Sequence, residues 1–169
     1  MIRKPQPDEY NSFYQPYIDK IEGDNMLNEL KVQATVLPKF YLEHSAKAEY
    51  RYAVNKWSIK EILNHVNDTE RVFAYRAICI ARGERQELPG FDQNAYQDNS
   101  HSSLRTLESL VQEFQAIRTS TVLFFENLQE SDSLLIGSAS GFSVSVRALA
   151  AKIVGHAAHH KQVIEERYL

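Results

Sequence analysis

At 169 residues, 43% of them hydrophobic, the chain has room for one sizeable core and no room for a second full domain. Its 19 Lys and Arg against 22 Asp and Glu give a formal charge of -3, without the basic excess that phosphate-backbone binding requires, which excludes nucleic acid as the main partner. A single cysteine, Cys79, rules out an intramolecular disulfide and a cysteine-based zinc cluster, and no apolar run approaches the ~20 residues of a membrane span.

The first ten residues carry no apolar signal core, so a soluble chain in a reducing, cytoplasmic setting is expected. Only six Gly and five Pro occur, and Gly23, Gly83, Pro89-Gly90, Gly137 and Gly141 mark breaks between segments rich in Ala, Leu, Glu, Gln, Arg and Lys, a mostly helical pattern. The first long helix is expected after Asp24 as N-cap, running through the apolar residues Met26, Leu27, Leu30, Val32, Val36, Leu37, Phe40 and Leu42, with Pro38 placed to kink or shorten it. Ser58-Ile59-Lys60-Glu61 is a capping box, in which the Ser58 hydroxyl accepts from the Glu61 amide and the Glu61 side chain reaches back. It predicts a second helix over 59–82, stopped by Gly83.

From Glu84 to Ser102 the chain reads as an unusually long connection, and loops of that length tend to be functional or disordered. Apolar residues at spacings of three and four predict a third helix over 103–128. Leu134 to Ser143 is Gly/Ser-rich and reads as an irregular loop or a small hairpin, and a fourth helix should run from Ser143 or Ser145 to about Arg167. Four helices, each with one apolar stripe, argue for an all-α four-helix bundle with one long crossover loop, occupying residues 1–169 as a single domain.

Three of the six histidines fall within five residues of the last helix. On a helical wheel His160 lies roughly 30° and His156 roughly 70° from the centre of the apolar face, whereas His159 lies about 130° away. His156 and His160 therefore face inward one turn apart and can converge on one ion, and His65, on the flank of the second helix, supplies a third nitrogen. Three neutral imidazoles leave a tetrahedral Zn²⁺ one open position for water or substrate. Cys79 lies about four turns along from His65, too far to complete the shell. Against this stands a plainer alternative, since buried histidines often only hydrogen-bond within a core. Asp68 is either a carboxylate orienting a ligand imidazole or an exposed surface charge, Glu70 and Arg76 carry the same ambiguity, and Trp57 reads as a staple at the helix start in preference to a ring stacked on a ligand.

The run Trp57-Ser58-Ile59-Lys60-Glu61-Ile62-Leu63-Asn64-His65, with Gly155-His156-Ala157-Ala158-His159-His160, resembles the DinB/YfiT-like superfamily. It matches that family's W-S-x-x-E-x-x-x-H and G-H-x-x-H-H segments, and Leu88-Pro89-Gly90-Phe91-Asp92 adds a weaker match. The resemblance implies a four-helix bundle with a divalent metal, zinc or nickel, on three histidines; carried over, these are His65, His156 and His160. It also implies thiol-dependent S-transfer or isomerisation with a low-molecular-weight thiol such as bacillithiol or mycothiol.

The first expectation is thus a transferase that joins a small thiol to an electrophile, the open metal position lowering the thiol pKa. A metal-dependent hydrolase comes second; its general base would be Asp68 or Glu70, though neither has a spacing like that of the His-Glu-x-x-His helix. A non-catalytic binding protein comes third. Arg76, Phe91, Asp92 and Tyr96 are candidates to line the substrate site, with the 84–102 segment as its cover. The resemblance further implies a homodimer, for which Tyr10, Phe13, Tyr14, Tyr17, Tyr50 and Tyr52 offer aromatic surface.

Overall fold

The computed structural model describes all 169 residues. Short α1 (Gln15–Ile18) precedes α2 (Met26–Glu43), α3 (Ile59–Ala81) and the seven-residue α4 (Gln93–Asn99). Then follow α5 (Leu107–Glu126), short α6 (Glu130–Ser133), strands β1 (Ile136–Ala139) and β2 (Phe142–Ser145), and α7 (Val146–Arg167). None of the helices is long and apolar enough to cross a membrane.

Capping chemistry sets most of these limits. Asn25 caps α2 by accepting from the Asn28 amide. Asp24, the expected cap, instead accepts twice from the Lys4 amide, through its carbonyl and its carboxylate, and ties down the N-terminal segment. Pro38 does not end α2, because burial of Leu37, Phe40 and Tyr41 on either side offsets the lost hydrogen bond. The Ser58/Glu61 capping box forms as the sequence predicts, and Gly83, at φ +88°, turns the chain out of α3. Helix α5 is shorter than expected at both ends, since Thr106 caps it and Ser102–Leu104 form a 3-10 turn.

The four long helices are arranged in the cyclic order α2, α5, α3, α7, so that α2 faces α3, and α5 faces α7, across the diagonals. Residues 84–102 join the neighbours α3 and α5 and are not the crossover; the diagonal steps are made by residues 44–58 and 127–145. The second of these contains the β1/β2 hairpin, the second of the two alternatives read for residues 134–143 and a small two-stranded addition to an otherwise helical chain. Ser140 and Gly141 both adopt positive φ at its tip, a turn whose twist matches that of paired strands. The aromatics proposed for a subunit contact are unequal: Tyr10 is buried and donates to Gln15 Oε1, Tyr14 and Tyr17 are half-buried, and Phe13, Tyr50 and Tyr52 are exposed.

Two apolar clusters fill the bundle. One holds Leu30, Phe73, Phe125, Ile153 and Val154; the other holds Leu37, Val66, Phe114, Ala157 and Ile164. Between them, on every long helix, lies a polar residue: Gln33, Glu70, Arg118 and His156. Arg118, fully buried, donates from Nε and Nη2 to both carboxylate oxygens of Glu70 at 2.8–3.1 Å, and from Nη1 to Gln33 Oε1 at 2.9 Å. Gln33 Nε2 in turn donates to the Val154 carbonyl at 3.0 Å, which links the ion pair to α7.

This pair yields a direct test. Arg118→Met leaves the Glu70 carboxylate buried without a partner and should lower unfolding stability by about 3–5 kcal/mol in urea titrations. Adding Glu70→Met should recover most of that loss, because the unpaired charge is what is destabilising.

Candidate metal centre

His65 projects from α3, and His156 and His160 from α7, the two helices that pack most extensively against each other. All three Nε2 atoms point to one spot: His65 Nε2 lies 3.0 Å and His160 Nε2 3.1 Å from His156 Nε2. One ligand atom from each residue lies within 4.8 Å of the others. His65 Nδ1 is 3.4 Å from the Thr69 hydroxyl; with the proton on Nδ1 it donates there and leaves the Nε2 lone pair free.

Burial governs the electrostatics. Desolvation pushes His65 down to about 4, and His156 and His160 lie well below the usual histidine range, burial first and their neighbouring imidazoles second. Each ring is therefore neutral at physiological pH, the form that ligates a metal. A tetrahedral ion with about 2.0–2.1 Å bonds to nitrogen needs N···N edges of about 3.3–3.4 Å, close to two of the edges present. The donor set fits a divalent transition metal, with three protein ligands and at least one open position.

Aromatic rings wall the cluster. Trp57 tilts over His65 at 4.9 Å between ring centroids, so it does more than staple the helix start. Tyr17 of α1 meets His156 at 5.9 Å and His159 at 4.9 Å, edge to face. The approach of α1 explains Gly155: a Cβ there would sit 2.3 Å from the Tyr17 carbonyl oxygen, so only glycine lets the two backbones meet. Nothing local in the sequence points to Tyr17, which is more than a hundred residues from the histidines it touches. His159 makes no part of the converging set, in keeping with its position on the wheel.

A cavity of about 370 Å³ opens at His160, lined also by Trp57, Lys56, Asn94 and His159. The candidate residues outside the triad are placed elsewhere. Glu70 is held by Arg118, and Asp68 by Asn64 and Arg71. Arg76 donates to the Pro89 carbonyl and the Ser140 hydroxyl. Asp92 is spent on capping α4, and Phe91 packs on Tyr96 beside a different cavity that also touches Arg76. From the 84–102 segment it is Asn94 that reaches the cavity at the histidines, because residues 93–99 are wound into a helix that the spacing did not reveal.

The DinB superfamily family model matches residues 41–164, which take in all three histidines. The chain belongs to the DinB superfamily. This DinB chain is also similar in fold to YfiT from Bacillus subtilis, with a TM-score of 0.75 at 15% identity over 96% of this chain and 91% of that one. YfiT is described as a probable metal-dependent hydrolase with an unusual four-helix bundle topology. No curated protein matches the sequence.

The lowered histidine pKa values fix the sign of a pH effect in the metal-free protein. The unfolded chain binds these protons near pH 6.5 and the folded one only far lower, so stability is intact above about 6.5 and falls as the pH drops toward 4. Each histidine should contribute about 1.4 kcal/mol per pH unit in that window. Urea unfolding at about pH 7 and pH 5 should show the loss, and His65→Gln should reduce it.

Proposed function

We propose that the chain is a divalent-metal-dependent enzyme acting on a small molecule, with His65, His156 and His160 holding the ion. The convergence of three neutral, deeply placed imidazole nitrogens carries this reading. A divalent ion bound there supplies Lewis acidity and lowers the pKa of a thiol or water that shares its coordination shell. The histidines fix the ion's position, and Trp57 and Tyr17 limit access of bulk water to it. A cavity of about 370 Å³ falls within the range of small-molecule sites and gives the substrate its place beside His160.

Thiol transfer is the first reading of the chemistry. Among the ten residues around that cavity there is no Asp or Glu to take a proton from water, whereas a thiol activated by the ion needs no protein base. Lys56 offers a charge for the carboxylate that such thiols commonly carry. A low-molecular-weight thiol as co-substrate also agrees with a cytoplasmic setting, and a second copy of the chain is proposed as partner through the exposed Phe13, Tyr50 and Tyr52. Hydrolysis is the second reading. It is supported by the likeness to YfiT and by His159, the one side chain at the cavity mouth, other than the ligands, able to act as a base near neutral pH.

Metal analysis by mass spectrometry, on tag-free protein purified without added metal, should find about one zinc or nickel per chain, lost in His160→Ala. Wild type that is empty and fails to take up either metal would sink the reading. On the loaded protein, conjugation of a small thiol to 1-chloro-2,4-dinitrobenzene should exceed hydrolysis of p-nitrophenyl acetate; the reverse order would promote the hydrolase.

A further inference from the structure

Lys152 occupies α7 one turn before His156 and is 5% exposed. It makes no hydrogen bond or ion pair within the chain; its Nζ rests 3.4 Å from the ring centroid of Tyr14 and 5.1 Å from that of Phe73. Arg76 of α3 is 3% exposed and uses only Nη2, toward Pro89 and Ser140. Its Nε and Nη1 have no acceptor in the protein. Both cations line a cavity of about 120 Å³, together with Asn11, Ser143 and the rings of Phe13 and Phe142. This cavity shares no residue with the one at His160.

Two buried cations side by side, with no carboxylate between them, are unfavourable for the fold. Glu87, the carboxylate whose field reaches Arg76, is bound to Ser138 and the Gly141 amide. No carboxylate acts on Lys152; burial, with Arg76 adding to it, brings its ammonium down to about 7. An anion beside it would restore the charged form.

We propose that this cavity is a binding site for a small organic carboxylate, separate from the histidine cluster. The carboxylate accepts from Lys152 Nζ and from the free N–H groups of Arg76, and a short apolar body packs on Phe13 and Phe142. Half of the ten residues around the cavity are hydrophobic, which favours an organic acid over a fully hydrated inorganic anion. The volume holds several water-sized groups, enough for an acid of a few carbons.

Calorimetric titration of the EDTA-treated full chain with sodium butyrate, at about pH 6.5 where Lys152 is mostly charged, should show saturable binding at one site per chain. Lys152→Met should weaken it by about tenfold or more, and Phe13→Ala, an exposed wall position, by a smaller factor. His160→Ala should bind as wild type does. Butyrate should also raise the melting temperature of the wild type while 1-butanol does not, a measurement that stands even if Lys152→Met fails to fold. Absence of saturable binding, undiminished binding by a folded Lys152→Met, loss of binding in His160→Ala, or tighter binding of inorganic phosphate would overturn the proposal. None of these outcomes bears on the metal content that tests the histidine site.

Discussion

A layer of polar side chains crosses the middle of the bundle, and the rest of the structure depends on how that layer is satisfied. Arg118, Glu70 and Gln33 close one half of it with fork-shaped hydrogen bonds that leave few lone pairs or protons unanswered. His156 completes it on α7 and joins His65 and His160, which stand about a turn beyond, among Ile62, Val66, Ala157 and Ile164. Apolar clusters above and below exclude water from the Arg118–Glu70 pair, so its groups must find their partners within the layer, while His160 borders the open cavity. A helix that slipped by a turn would set leucines and valines against charges, and the layer thereby fixes the register of all four helices.

Burial also makes the histidines useful. In water three imidazoles would titrate near neutrality and repel one another when charged; in this layer, burial holds them neutral and their lone pairs converge. Their positions come from rigid helices on both sides, with Thr69 and Trp57 steering His65 and Tyr17 closing over His156. Gly155 belongs to this arrangement, since it lets α1 approach α7 closely enough to bring Tyr17 there. The short first helix, which adds little to the core, is thereby part of the site's wall.

Polarity is distributed differently beyond the layer. Lys152 and Arg76 lie one turn or more toward the hairpin end, where the hairpin tip and the segment after α3 meet and where no acidic side chain is free. Their environment is as enclosed as that of the histidines, yet both are basic groups without a counter-charge, and aromatic faces supply only part of what one would. One helix thus presents neutral nitrogen ligands at 156 and 160 and an uncompensated ammonium at 152 on adjacent turns.

The sequence by itself determined the helical class, the start of α3 and the one-turn pairing of His156 with His160, because caps, stops and three-to-four spacing are local rules that act within a turn or two, whereas His65 meets that pair through the packing of α3 on α7. Local rules also chose His156 and His160 over His159, since facing direction along one helix follows from its period. The tertiary structure alone decided the rest. Which helices are neighbours, that 84–102 carries a helix and is no crossover, that Glu70 belongs to Arg118, and that Tyr17 and Lys152 stand in enclosed sites all follow from contacts between distant segments. Such contacts are set by packing and desolvation summed over the whole core, and no window of sequence contains that sum.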